Sequence, residues 1–288
     1  MEERNFKELL EDRWSYGHFV CVGLDSEYER IPAVVKNERN VAGTIFAFNQ
    51  AVIDATKDLV CAYKPNAAFY EACGEPGSHA LVFTIAYIHK VAPRVPVILD
   101  IKRGDIGKTN KGYVEAAFNH FEADAVTVHP YLGAEALKPF LDQKEKGIIV
   151  LCRTSNPGAG EFQDLSVGYE SLTNPNCTHV VPFYQYVARR VAENWNKNGN
   201  CAVVVGATYP EELKEVRGIV GDMPILIPGI GAQGGDVEKA VKAGKNSRGQ
   251  GMIINSSSGI IFASSGADFP EAARRETIKL RDAINQYR

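Results

Sequence analysis

Eight short runs of apolar residues recur along the chain, and each is followed by a turn or loop and a longer segment. The runs are rich in valine and isoleucine and almost continuously hydrophobic, which is typical of parallel strands that are buried on both faces. We therefore predict eight parallel strands. They span residues 18–25, 59–66, 95–102, 125–130, 147–154, 201–208, 225–231 and 251–257.

The segments between these runs have the spacing of helices. After the first run, Val41, Ile45, Phe48, Val52 and Ala55 recur at steps of three and four residues, which gives one apolar stripe along a helix. Strands and helices that alternate eight times indicate the α/β class. We predict a single (β/α)₈ TIM barrel over residues 1–288, with an open doubly wound sheet as the alternative.

The position of polar residues favours the barrel over the open sheet. Nearly every run carries a polar side chain at its C-terminal end, and the active sites of barrels are built at that end of the strands. These residues are Asp25, Lys64, Asp100, Lys102, His129, Arg153, Thr208 and Asn255.

One connection is longer than the others. Residues 154–177 follow the fifth run and are rich in glycine, asparagine and serine. Long loops inside compact domains are usually functional or disordered, and this one would lie on the active-site face. We predict an active-site lid, and Arg153 either orients it or binds a ligand.

Composition narrows the possible partners. The 288 residues are 45% hydrophobic and carry a net charge of −3, so no overall charge favours nucleic acid or an anionic membrane as partner. No apolar run approaches the roughly 18–20 residues of a membrane span. The six cysteines lack any metal-ligand spacing, and the N-terminus does not resemble a signal peptide. We predict a reduced, cytoplasmic protein.

The stretch from Asp100 to Thr109 carries the densest charge at a strand end. Asp100 and Lys102 are two residues apart on a predicted strand, so their side chains should point to the same side. Asp105 follows, and Lys64 and Asp25 end the second and first runs. The sequence predicts a cluster of alternating carboxylates and ammonium groups at the barrel mouth.

Two simpler interpretations of this cluster are a structural salt-bridge network and a Mg²⁺ site. Buried ion pairs are costly because the charges lose their hydration, so a cluster at the catalytic end of a barrel favours function. Carboxylates bind Mg²⁺, but the two interleaved lysines already supply the positive charge that a metal would bring. We therefore expect no metal.

The pattern D-x-K-R-x-D-I-G-x-T at 100–109 resembles the signature of orotidine 5'-monophosphate decarboxylases, in particular the longer bacterial type. DxKxxD alone is shared with sugar-phosphate enzymes of the same barrel group, but its combination with SNPG and PGIGAQGGD is more specific. The similarity follows the family's order along nearly the whole chain. It includes GLD, AYKPN, CRTSNPGAGEFQDL, VGATYPEEL, LIPGIGAQGGD and IINSS.

The resemblance implies an activity: orotidine 5'-monophosphate (OMP) would lose CO₂ to give UMP, the last step of de novo UMP biosynthesis. No cofactor would take part, and the chain shows no dinucleotide fingerprint or metal cluster. By resemblance, Lys102 would donate the proton to C6 of the pyrimidine. Asp100 would lie beside the substrate carboxylate, and Lys64 and Asp105 would complete the charged network.

The resemblance also implies the substrate contacts. Asp25 and Lys64 would hold the ribose hydroxyls, and Ser155 would contact the pyrimidine edge. Asp105, Ile106 and Thr109 would reach the active site of a neighbouring subunit, which implies a homodimer.

The phosphate of the substrate would lie near the loops after the last two runs, where barrels often bind phosphate. Their glycines, including Gly229, let backbone N–H groups approach an anion. Tight turns alone would also explain the glycines of each loop, but the two loops together, in these two places, favour phosphate binding. By resemblance, Gln233 would reach the phosphate. The family's phosphate-binding arginine is replaced by Ser258, so we expect the phosphate to be bound more weakly than in a relative that has the arginine. Arg248 lies nearby in sequence, but we do not expect it to take over this role.

Two other functions stay open. One is a Mg²⁺-dependent sugar-phosphate decarboxylase or synthase of the same barrel group, which sensitivity to EDTA would reveal. The other is a non-catalytic nucleotide-binding protein weakened at its phosphate site, against which the intact charged cluster argues.

Overall fold

The computed structural model of the chain describes residues 4–170, 178–230 and 235–288. Strands form at all eight predicted runs, and a further pair of strands lies between the fifth and sixth. In chain order they are β1 Val20–Leu24, β2 Val60–Pro65, β3 Ile98–Arg103, β4 Ala125–Val128, β5 Gly147–Arg153, β6 Ser166–Glu170, β7 Thr178–Pro182, β8 Cys201–Val205, β9 Ile225–Pro228 and β10 Met252–Ser256.

Eight of these strands form one parallel sheet in the order β2-β1-β10-β9-β8-β5-β4-β3. Its two end strands also meet, through the parallel bridges Tyr63–Val97 and Asn66–Asp100. The sheet therefore curls into a nearly closed barrel, which confirms the predicted (β/α)₈ architecture and excludes the open sheet.

Helices surround the barrel and cover its outer face. Ile45, Phe48 and Val52 of the predicted stripe are fully buried against it. The helices are α1 Phe6–Ser15, α2 Val41–Thr56, α3 Ala67–Glu71, α4 Gly74–Val91, α5 Gly107–Val114, α6 Gly133–Leu141, α7 Gly160–Gln163, α8 Phe183–Arg190, α9 Pro210–Val220, α10 Val237–Gly244, α11 Ser258–Ile261 and α12 Phe269–Tyr287. Among them, α5 and α8 continue as π-helical turns at Glu115–His120 and Val191–Trp195.

The first helix closes the N-terminal end of the barrel. Trp14 donates a hydrogen bond from Nε1 to the carbonyl of Met252, at the start of β10 (2.9 Å). Phe6 is buried, and the position of a β-carbon on Gly147, the first residue of β5, would lie 2.3 Å from its ring. The opposite, C-terminal end of the strands is left for the cavity described below.

The predicted lid differs from a long irregular loop. Its described part contains a 3₁₀ turn at Pro157–Ala159, the short helix α7 and strand β6, which pairs antiparallel with β7. Backbone pairing such as Val167 with Val181 gives the segment its own hydrogen bonds, which a long loop otherwise lacks. Residues 171–177 of the predicted lid lie outside the described residues.

Within the described ranges, no helix is both long enough and apolar enough to cross a membrane.

Candidate active site

A cavity of about 330 Å³ opens at the C-terminal ends of the barrel strands. The structure brings seven of the predicted site residues to its walls, from the ends of six different strands. They are Asp25, Lys64, Asp100, Lys102, Ser155, Gly229 and Ser258.

Asp100 is the centre of the charged cluster. Its Oδ2 accepts a hydrogen bond from Lys64 Nζ at 2.9 Å, and its Oδ1 accepts from Lys102 Nζ at 2.7 Å and Thr127 Oγ1 at 2.7 Å. Burial alone would raise the pKa of Asp100, but the charges of Lys64 and Lys102 outweigh it and hold the pKa well below its ordinary value. Asp100 is therefore a carboxylate throughout the physiological range.

Lys64 is buried between two carboxylates. Its side chain is 5% exposed, and Nζ lies 2.9 Å from Asp100 and 3.8 Å from Asp25. Burial would lower the pKa of Lys64, but these two carboxylates raise it above its ordinary value. The cluster therefore holds a permanent ammonium group beside Asp100.

Lys102 has a strained backbone, with φ at +47°, a left-handed conformation that side chains other than glycine rarely adopt. The pairing of β3 with β4 shifts register between Leu99 and Arg103, as at a β-bulge. Asp100 and Lys102 do point to the same side, as predicted, although the backbone at Lys102 departs from regular strand geometry. Strain of this kind clusters at functional sites.

Thr127 is a site residue that the sequence interpretation missed. It lies on β4 and lines the cavity. Its hydroxyl donates to Asp100 and accepts a hydrogen bond from the backbone N–H of Lys102 at 3.0 Å. The one signal available was a single hydroxyl inside the apolar run of β4.

Two glycines lie next to residues that the sequence predicts to bind the substrate. The position of a β-carbon on Gly206 would lie 2.7 Å from Ser155 Cβ, so only glycine lets Ser155 pack against the end of β8. Gly229 follows β9 with φ at +97°, a conformation that favours glycine. Gln233 lies outside the described residues.

Arg248, the possible substitute for the missing phosphate-binding arginine, lies at the end of the barrel opposite the cavity. Arg248 precedes β10, its side chain is 59% exposed, and it lies 3.6 Å from Asp222. Ser258 follows the same strand, whose five residues span roughly 17 Å at 3.3 Å per residue. Arg248 therefore cannot take the place of the arginine that the family usually has at the position of Ser258.

Arg153 holds the segment that follows β5. Its buried guanidinium donates to Asp164 Oδ2 at 3.1 Å and lies 4.0 Å from the ring of Tyr209. Of the two predicted roles, these contacts favour orienting the segment.

Asp105, Ile106 and Thr109 do not line the cavity of their own chain. The backbone N–H of Asp105 donates to Oδ1 of the buried Asn110 at 3.0 Å, which fixes the turn before α5. Ile106 is 60% exposed on that turn. One chain alone therefore does not bring these three residues to Lys102.

The polar groups of the cavity are better suited to an organic ligand than to a metal. Asp25 and Asn255 line the cavity, and Oδ1 of each is buried and accepts no hydrogen bond from the described protein atoms, so each residue keeps an unused acceptor. Lys64 and Lys102 already neutralise Asp100. Over the described ranges, no group of three or more His, Cys, Asp or Glu side chains could hold a metal ion.

Comparison with known proteins gives one consistent family. The chain is 48% identical over 285 residues to the orotidine 5'-phosphate decarboxylase of Cellvibrio japonicus, which covers 99% of both chains. It is also 48% identical over 284 residues to the protein of that name from Ralstonia pickettii, covering 98% of this chain and 99% of the relative.

A solved structure shows the same fold over the same length. The OMP decarboxylase of Leishmania donovani is 35% identical, superposes with a TM-score of 0.80, and covers 98% of this chain and 99% of its own. The profile of the "Orotidine 5'-phosphate decarboxylase / HUMPS family" matches residues 18–274. With that match over most of its length, this chain belongs to the orotidine 5'-phosphate decarboxylase / HUMPS family.

Proposed function

We propose that the protein is a carboxy-lyase that converts OMP to UMP and CO₂ without a cofactor. The observation that carries the proposal is the buried Asp100 carboxylate held between Lys64 and Lys102 at the barrel mouth. The names of relatives 48% identical over almost the whole chain support it.

The charges of the cluster suit this reaction. Loss of CO₂ leaves negative charge at C6 of a ring that offers no conjugated electron sink, so preorganised positive charge must stabilise it. The side chain of Lys102 is 49% exposed at the cavity and carries the ammonium that would stabilise the carbanion and protonate C6. Asp100 would fix this lysine and lie beside the departing carboxylate.

One ammonium does not supply the whole rate enhancement. A charge about 4 Å away contributes on the order of 4 kcal/mol at an effective dielectric near 20, whereas enzymes typically lower barriers by about 8–23 kcal/mol. Binding of the parts of the substrate that do not react, chiefly the phosphate, would have to supply closure and exclusion of water. The segment 154–177 is our candidate for the lid.

The other contacts follow from the walls of the cavity. Asp25 and Lys64 would bind the ribose hydroxyls, and Ser155 the pyrimidine edge. Gly229 and Ser258 lie on the wall that would face the phosphate, and the resemblance assigns Gln233 to the phosphate as well.

We further propose a homodimer with shared active sites. Asp105, Ile106 and Thr109 lie outside their own cavity, and Ile106 is exposed, as residues that contact a partner subunit would be. The last step of UMP biosynthesis and a reducing cytoplasmic location remain predictions. Free Cys21, Cys61, Cys73, Cys152 and Cys201 support the latter.

The first test is decarboxylation of OMP by the purified protein in EDTA, followed by the loss of ultraviolet absorbance. We expect full activity in EDTA and a fall in kcat of at least about 10³-fold in Lys102→Ala, because the variant loses a proton donor and a stabilising charge. Lys144→Ala removes an exposed lysine outside the cavity and should change kcat by less than twofold.

Absence of OMP turnover would overturn the proposal. If activity toward sugar phosphates then appeared with Mg²⁺, the protein would be the metal-dependent enzyme of the same barrel group. If UMP bound without turnover of OMP, it would be a nucleotide-binding protein.

A further inference from the structure

Three cations lie on the described walls of the cavity, and one of them stands apart from the Asp100 cluster. Lys64 and Lys102 both bind Asp100. Arg30, in the short 3₁₀ turn Tyr28–Arg30 after β1, lines the same cavity but has no contact with Asp100. Its charge is therefore not used by Asp100, and its partner is Glu27 on the same cavity.

Arg30 is held beside the loop after β10. Its Cζ lies 4.2 Å from the ring centroid of Phe262. The backbone N–H of Phe262 donates to the carbonyl of Ser258 at 3.2 Å, so the ring that carries the guanidinium lies one helical turn from Ser258. Phe262 in turn stacks on the buried Phe48 of α2, with ring centroids 5.3 Å apart.

The present partner of Arg30 is easily exchanged. Nη1 donates to Glu27 Oε1 at 2.9 Å, and the two side chains are 44% and 41% exposed. Such exposed pairs within one turn contribute little stability. A phosphate dianion offers the guanidinium a stronger, often bidentate partner, while the stacked ring keeps the side chain at the cavity wall.

We propose that Arg30 binds the phosphate of the nucleotide, with Phe262 as the platform that positions its guanidinium. Ser258 and the backbone at Gly229 lie on the same cavity but carry no positive charge. Among the residues that the structure describes, Arg30 is therefore the cation that lines the cavity without binding Asp100. The inference rests on the proposed function, because it takes OMP and UMP as ligands. Arg30 would make the protein select the phosphorylated nucleotide over the free nucleoside.

The test compares ligands with and without phosphate. Titration calorimetry measures the Kd of UMP and of uridine, and kinetics measure kcat/KM for OMP and orotidine. In Arg30→Ala we expect UMP binding and kcat/KM for OMP to fall about tenfold or more, the range of a charged hydrogen bond. Uridine and orotidine should change less than twofold.

Further variants separate this role from a structural one. Arg30→Lys keeps the charge and should lose less affinity for UMP than Arg30→Ala, and adding Ser258→Arg to Arg30→Ala should restore UMP binding. Arg39→Ala removes an exposed arginine outside the cavity and should leave both ligands unchanged.

Equal losses for UMP and uridine, or no loss for either, would overturn the role of Arg30. This outcome differs from failure of the proposed function, in which the unmodified protein does not decarboxylate OMP.

Discussion

The hydroxyl of Thr127 connects the two residues that we propose carry the chemistry. It donates to Asp100 and accepts from the backbone N–H of Lys102, whose left-handed conformation needs support. A residue on β4 therefore fixes both the carboxylate of Asp100 and the backbone of Lys102 on β3. Thr127 also lines the cavity, but these two hydrogen bonds are enough for it to act by positioning Asp100 and Lys102.

Replacing Thr127 with valine should uncouple these two residues. Valine has nearly the same shape but leaves the N–H of Lys102 without its partner, which costs about 1–3 kcal/mol of unfolding free energy. We expect kcat for OMP to fall roughly tenfold or more, since small misplacement of reacting groups has large effects.

Thr127→Ser keeps the hydroxyl and should retain kcat within about threefold. Steady-state kinetics and urea unfolding measure both effects. If Thr127→Val lost stability but kept its kcat, the residue would be structural only.

At the scale of elements, a buried carboxylate joins three segments at the N-terminal end of the barrel. Asp124 precedes β4, and its side chain is fully buried. It accepts hydrogen bonds from Arg4 at 2.8 Å and from the backbone N–H of Val97, ahead of β3, at 2.8 Å. Burial would raise the pKa of Asp124, but the hydrogen bonds from Arg4 and the proximity of His89, whose Nε2 lies 3.5 Å from Oδ2, lower it to about 2.

This lowered pKa predicts how stability depends on pH. A carboxyl whose pKa is lower in the folded protein stabilises it above the ordinary pKa of 3.8, and the contribution disappears as pH falls toward about 2. The shift corresponds to about 2 kcal/mol. Asp124→Asn should lose at least about that much unfolding free energy at pH 7 and show a shallower decline between pH 5 and 3.

Urea unfolding across this pH range measures the difference. Because Asp124 lies at the end of the barrel opposite the cavity, OMP turnover of the folded variant at 25 °C should stay within about twofold. If the unfolding free energies of the unmodified protein and Asp124→Asn fell in parallel with pH, Asp124 would not be the source of this pH dependence.

At the scale of the whole molecule, exposed apolar side chains support the proposed dimer. Tyr131, Phe162 and Leu165 are 81%, 62% and 55% exposed and line one apolar groove. Contiguous patches of this kind usually mark an interaction surface. Ile106 is 60% exposed on the turn that also carries Asp105.

Mixing two inactive variants tests shared active sites. If each site combines Lys102 of one subunit with Asp105 of the other, Lys102→Ala and Asp105→Ala are each inactive. Subunit exchange between equal amounts should restore about one quarter of normal activity, because half of the dimers carry one intact site under two-fold symmetry. Sedimentation gives the oligomeric state, and no recovery from a dimeric mixture would mean that each chain builds its own site.

The sequence by itself determined the eight strands and the end of the barrel that carries the site. Strands buried on both faces must be continuously apolar, so a polar residue at the end of such a run is conspicuous. Asp25, Lys64, Asp100 and Lys102 were found for this reason. Strands β6 and β7 and their pairing were missed because the spacing of residues does not specify a partner strand.

Only the tertiary structure decided which side chains share the cavity. Thr127 reaches Asp100 from the neighbouring strand, and Arg30 reaches the Ser258 loop because β1 pairs with β10 when the barrel closes. Arg248 is near Ser258 in sequence, yet a strand separates them. Contacts of this kind depend on strand register and closure of the sheet, which relate residues far apart in the chain and leave no local pattern.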